Sequence, residues 1–127
     1  MIFSSPAAGV IVDTSALTQL GESIFLRTLM RQLLQQARPI VVSSDALFAA
    51  AYAGRVTARE VQLPGITEVA PDIDDVCGYV QRLGLRVDRD IAHGLYESEN
   101  LGGFPIITAD PEIYESHPAP PDLITLP

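Results

Sequence analysis

A chain of 127 residues that is 47% hydrophobic has the length of one domain and the apolar content for an ordinary core, which excludes intrinsic disorder. Sixteen acids stand against eight bases, giving a formal net charge of −8, and every base is arginine because the chain contains no lysine. An acidic surface repels nucleic acid at long range, so a nucleic-acid function here needs local arginines, a bound metal or a basic partner.

The first element is a strand over 9–12 in "GVIVDTSAL", ending on Asp13, Thr14 and Ser15. A short acid followed by hydroxyls also makes a good helix cap. A helix is predicted through "IFLRTLMRQLLQQA" (24–37), where Leu26, Leu29, Met30, Leu33, Leu34 and Ala37 recur at helical spacing and Arg27, Arg31 and Arg38 fall on the wet side. "PIVVSS" (39–44) is a second strand. "SDALFAAAYAGR" (44–55) is a helix capped by Ser44 or Asp45 and ended by Gly54. Its apolar run is far short of the roughly 20 residues that span a bilayer, and "MIFSSP" lacks the basic start of a secretion signal, so no membrane association and a cytoplasmic location are expected.

"VTAREVQLPG" (56–65) is a connector with a helical turn before Pro64, and "ITEVA" (66–70) is a third strand. "DIDDVCGYVQRLG" (72–84) is a helix stopped by Gly84. Cys77 sits there with Ile73, Val76 and Val80 on one face, which predicts a core position. As the single cysteine it excludes an intramolecular disulfide and a cysteine-based zinc cluster. Another helix opens at Asp88 or Asp90 and runs through "IAHGLYESENL" to Gly102–Gly103. "PIIT" (105–108) is a fourth strand, "ADPEIYES" (109–116) a capped turn, "HPAPPD" (117–122) a loop and "LITLP" (123–127) a fifth strand.

Short apolar strands alternating with helices, with no internal repeat or low-complexity linker, predict a single three-layer α/β domain over 1–127, with a mainly parallel, about five-stranded central sheet. Ligands in such sheets sit beyond the carboxyl ends of the strands. Asp13 follows the first strand, Asp110 follows the fourth, and Asp88 with Asp90 opens the helix leading into the fourth, so three chain segments offer carboxylates to one edge. Each has an ordinary reading as a cap. Together, gathered like charges repel and raise one another's pKa unless a cation holds them, and oxygen donors suit Mg²⁺ or Mn²⁺.

"VDTSAL", the "SSDALFAAA" helix, "DRDIA" and "IITADP" together resemble the PIN-domain family, and especially its VapC-type toxins, over nearly the whole chain. The resemblance implies a metal-dependent endoribonuclease in which acids hold Mg²⁺ or Mn²⁺ and metal-activated water cleaves RNA phosphodiesters. Carried over, the first acid is Asp13, the last is Asp110, and the third is Asp88, which gives the D-x-x-I-A run, with Asp90 beside it at the more usual distance from Asp110. Ser15 and Thr108 resemble the family's hydroxyls beside the acids. The resemblance further implies an antitoxin-like partner with a basic segment and a homodimer. Where the family has a second acid on the helix after the second strand, this chain has Ala49, and that departure favours the alternative of a catalytically degenerate PIN-like module that binds a protein.

Asp45, one turn before Ala49, is about 6 Å of helical rise away and has a shorter side chain, so a capping role is expected of it. His93 is spaced to face a metal with Asp90 and Glu97, although a surface or core role is the commoner one for a helical histidine. Arg82, Arg86, Arg89 and the Arg55/Arg59 pair could touch phosphates or lie on a solvated face. A receiver domain is excluded by the missing lysine, and a haloacid-dehalogenase-type phosphatase by Ser15, which stands where a second aspartate is required.

Overall fold

The strands of this protein are short and apolar, and the computed structural model, which describes residues 9–55 and 65–127, joins all five in one sheet. They are β1 (Val10–Val12), β2 (Ile40–Ser43), β3 (Ile66–Val69), β4 (Ile106–Thr108) and β5 (Leu123–Thr125), in the order β3-β2-β1-β4-β5. Every pairing is parallel, and Ile11 stands opposite both Val41 and Ile106. The helices are α1 (Thr14–Leu17), α2 (Ile24–Gln35), α3 (Ser44–Tyr52), α4 (Ile73–Leu83) and α5 (Arg89–Asn100), with a 3₁₀ turn over Pro111–Tyr114. The helical turn expected within 56–65 falls on residues 56–64, outside the described residues, as does Arg59.

Strand alternation sorts the core into two halves. Val10, Val12, Ile40, Val42 and Ile107 point to one face, where they pack with α1, α2 (Leu26, Leu29, Met30, Leu33) and the Ala46–Ala50 side of α3. Ile11, Val41 and Ile106 point to the other, against Tyr79 of α4, Ile91 and Leu95 of α5, and Tyr114. The result is the three-layer α/β arrangement that the alternating pattern predicts. Gly9 is required where β1 enters the sheet, because a Cβ there would stand 2.3 Å from the Pro39 carbonyl oxygen and 2.7 Å from the Phe104 ring. Among the described residues no helix is long and apolar enough to cross a membrane.

Three local expectations are corrected. Cys77 is exposed, because the buried side of α4 runs through Val76 and Tyr79 and position 77 lies a further 100° or so around the helix. Ile73, expected beside it in the core, is 48% exposed at the helix start. Arg38 is buried at 4% exposure, since it follows the end of α2 and no longer shares the helix's wet face. The cap of α3 is Ser43, whose side chain accepts from the Ala46 N–H; this leaves Asp45 free of the capping role.

The Pro-rich loop is tied back to α4 by His117. Its Nδ1 accepts from the Ala119 N–H at 2.9 Å, so Nε2 is the nitrogen that carries the hydrogen and donates to the Tyr79 hydroxyl, 2.8 Å away. Burial, and then the Glu99 carboxylate, push the Tyr79 phenol up from 10.0 to about 12.

Candidate functional site

From β1 the chain steps outward to β2 and β3, then returns to the other side of β1 to lay down β4 and β5. The direction of winding therefore reverses between β1 and β4, and in open parallel sheets the crevice beyond such a reversal is where ligands bind. Asp13 leaves β1 at that point, its N–H donating to the Ile107 carbonyl at 3.1 Å, and Thr108, Ala109 and Asp110 leave β4 beside it.

Asp13 is 5% exposed and is held by three donors. Its Oδ1 accepts from the Ser15 hydroxyl at 2.7 Å and from the Ala16 N–H at 2.9 Å; its Oδ2 accepts from the Tyr114 hydroxyl at 2.7 Å. The Ala16 bond is an N-cap bond, so Asp13 both starts α1 and faces the crevice. Because the Ser15 hydrogen goes to Asp13, the 3.1 Å contact between the Ser15 and Thr108 hydroxyls has Thr108 as donor. Ser15 also accepts from the Ala109 N–H at 2.9 Å, and Thr108 from the Asp110 N–H at 3.0 Å. A directed relay thus runs from the end of β4 through Thr108 and Ser15 to Asp13, which gives the two hydroxyls singled out in the sequence a definite task.

Of the two acids that open α5, the structure turns Asp90 toward this edge. Its Oδ2 accepts from the Thr14 hydroxyl, next to Asp13 in the chain. Asp88 is the exposed N-cap residue of α5 and makes no side-chain capping bond. Asp110 is exposed at the head of the Pro111–Tyr114 turn, likewise without a side-chain cap bond. At the far end of that turn Tyr114 is 2% exposed, and its phenol is pushed far above the usual tyrosine range, first by burial and then by the negative charge of Asp13, with Asp90 and Asp110 adding to it. Asp13 is the carboxylate that meets this buried hydroxyl directly. Sequence reasoning passed over Tyr114; the available signal was an aromatic with a polar tip four residues beyond a strand-end acid.

The donor chemistry at this edge is all hard oxygen, which suits Mg²⁺ or Mn²⁺. The spacing does not: among the described residues no group of three or more carboxylate, imidazole or thiol side chains is gathered closely enough to hold a metal ion. The residues as placed therefore do not form a coordination shell.

Beside this edge lies a second polar cluster. His93 is completely buried, with Nδ1 3.3 Å from Asp45 Oδ2 and Nε2 3.5 Å from Glu97 Oε1. Neither nitrogen makes a hydrogen bond of good geometry, so these contacts are close approaches of ring nitrogen to carboxylate oxygen. The other oxygen of Asp45 pairs with Arg89 at 3.0 Å. Asp45, expected as a cap, is instead the link between α3 and α5, and His93 faces it and Glu97 rather than Asp90. Arg82 pairs with Glu99 at 3.6 Å and Arg55 with Glu22 at 3.9 Å, all four side chains well exposed. Ala49 lies one turn beyond Asp45 in α3 and brings no carboxylate to the cluster.

What the fold and this edge define is a five-stranded, all-parallel α/β domain with Asp13, Ser15, Thr108 and Tyr114 joined by hydrogen bonds at its winding reversal. Compared with protein-family models, with curated proteins and with solved structures, the chain matches none.

Proposed function

We propose that this chain is a PIN-like, VapC-type endoribonuclease that depends on Mg²⁺ or Mn²⁺, with Asp13, Asp90 and Asp110 as the acids that take the ion. One observation carries the reading: Asp13 and Asp110 follow the two strands that flank the winding reversal of a parallel sheet, and Asp90 is tied to Thr14 beside them. When bound, the ion would supply charge neutralisation and a polarised water for phosphodiester cleavage. Since the acids are not gathered to coordination distance, the reading requires them to draw in on the cation. The chain's own contribution is to fix Asp13 through Ser15, Ala16 and Tyr114, and to carry Asp110 on a turn anchored by the buried Tyr114 ring. An RNA substrate, an antitoxin-like partner with a basic segment that covers the acidic crevice, and a homodimer belong to the same proposal.

The second reading is a catalytically degenerate module of the same fold that binds a protein partner. Ala49 and the open spacing of the acids favour it. Mn²⁺ calorimetry with an RNA-cleavage assay separates the two. The nuclease reading expects Mn²⁺ binding and cleavage that both vanish in Asp13→Asn and Asp110→Asn. It also expects Ala49→Glu to raise metal affinity and activity, because an added hard anionic oxygen helps offset dehydration of the ion. A folded wild type that takes up no Mn²⁺ and leaves RNA intact hands the assignment to the binding module.

A further inference from the structure

Away from the winding reversal, α4 and α5 leave a groove between them at the surface. It holds about 670 Å³ and is lined by Asp74, Asp75, Tyr79 and Arg82 from α4 and by Tyr96 and Glu99 from α5. Asp90, which turns to the crevice, lies in the first turn of α5, and Tyr96 is about 9 Å further along the helix axis. The charges in the groove do not balance. Arg82 pairs with Glu99 at 3.6 Å, whereas Asp75 accepts only a 3.4 Å bond from the Tyr96 hydroxyl and Asp74 has no partner among the described residues. The two tyrosine rings meet edge to face with centroids 5.9 Å apart. The Arg82 guanidinium carbon stands 5.8 Å over the Tyr79 ring, within the range at which an aromatic face attracts a cation. Gly78, on the same wall, sits inside α4, where only proline is a poorer helix former. Its φ is not positive and a Cβ there would meet nothing within 4 Å, so neither the backbone nor the packing asks for glycine. Its missing side chain keeps the groove open.

We propose that the groove between α4 and α5 is a docking site for an arginine-bearing segment of another protein. It is separate from the crevice and independent of the metal-dependent reading. The groove offers what a guanidinium recognises: aromatic faces for a planar cation and uncompensated carboxylates to receive its forked donors. Arg82 already makes the aromatic contact from within the chain and is neutralised by Glu99, so that pair bounds one end of the site. The incoming arginine takes the other end, against Tyr96 and between Asp74 and Asp75. A second hollow of about 350 Å³ shares Tyr79, Arg82 and Glu99 and runs on to His117, Ala119 and Pro121 of the Pro-rich loop. The surface is therefore elongated, which suits a polypeptide segment better than a compact small molecule.

The probe is a short fluorescein-labelled peptide of alternating arginine and serine, set beside its lysine counterpart of equal charge. Fluorescence anisotropy with the full-length chain should find the arginine peptide bound about tenfold more tightly than the lysine one, the size of a cation–aromatic contact combined with forked hydrogen bonding. Gly78→Leu fills the groove without changing its charge and replaces glycine with a better helix former, and it should weaken the arginine peptide about tenfold. In wild type the same peptide should shift the NMR signals of the Tyr96 ring and leave those of Tyr114 in place, a reading that does not depend on any variant folding. No binding of the arginine peptide, equal binding of both peptides, unchanged affinity in a folded Gly78→Leu, or shifts at Tyr114 in place of Tyr96 each overturn the inference. Tyr96 signals that move on dilution of the protein alone give the groove to a second copy of the chain and overturn it too. Mn²⁺ binding and RNA cleavage enter none of these outcomes, so the nuclease reading stands or falls separately.

Discussion

Two buried polar clusters stand within this small domain, and they are satisfied in opposite ways. Asp13 accepts three hydrogen bonds of 2.7–2.9 Å from two hydroxyls and one amide, all neutral donors. His93, fully buried, lies between two carboxylates at 3.3 and 3.5 Å with neither ring nitrogen in hydrogen-bond geometry. The first is a carboxylate held by aimed dipoles, which fixes its position. The second is a line of ionisable groups that answer only to one another, joining α3 to α5 without reaching the crevice. Equal burial therefore covers two different kinds of polar satisfaction.

The largest expected effect tests the second cluster. His93→Leu leaves both Asp45 and Glu97 facing an apolar side chain and should cost about 3 kcal/mol in chemical denaturation, because two largely buried carboxylates lose the polar group between them. Replacing Glu97 by Leu as well should recover part of that loss and leave the share due to Asp45, whose Oδ2 still faces the new side chain. If the double variant stays as unstable as the single one, Asp45 carries the whole loss.

The first cluster predicts a smaller loss. Asp13→Asn keeps one acceptor oxygen and turns the other into a donor aimed at the Tyr114 hydroxyl, so about 2 kcal/mol should be lost even without metal. An unchanged denaturation midpoint would mean that the three bonds contribute nothing to folding. Two buried phenols give the domain an alkaline signature. Tyr79 and Tyr114 both titrate above their unfolded value of 10.0, Tyr79 at about 12 and Tyr114 higher still. A raised folded pKa contributes stability that is complete below the unfolded value and lost as pH rises through the folded one. Stability from these two phenols should therefore hold up to about pH 10 and decline above it, read by tyrosinate absorbance against denaturation midpoint.

Arg89→Ala should matter least, within about 1 kcal/mol, since the Arg89 side chain is 66% exposed and its pair with Asp45 is screened by water. Its value is as a control: a large effect would show that Asp45 and His93 depend on an outside charge.

The fold was legible because the short apolar runs VIV, IVVS and PIIT, bounded by polar residues, and the 3.6 spacing of α2 are local signals. The two strand-end acids were legible for the same reason, since Asp13 and Asp110 each interrupt an apolar run. The partners of those acids were not. Tyr114 meets Asp13 across 101 residues, and Thr14 selects Asp90 over Asp88 across 76, contacts that only the parallel pairing of β1 with β4 creates. His93 shows the same limit: spacing along α5 placed it near Asp90 and Glu97, and only the packing of α3 against α5 supplied Asp45. Arg38 and Cys77 were misplaced by extending a helical wheel, in one case past its helix and in the other toward the wrong side of the buried arc.

The central position of β1 has a consequence for the order of folding. Its partner in β2 is only 30 residues further on (Val10 with Ile40) and the β3 partner 26 beyond that (Ile40 with Ile66), so half of the sheet can form from nearby chain. The other side of β1 stays an open edge until β4 arrives, and closing so long a loop is slow compared with local pairing. Asp13 therefore spends the early life of each new chain without its relay or its phenol, and the crevice comes into being only in the final step of assembly.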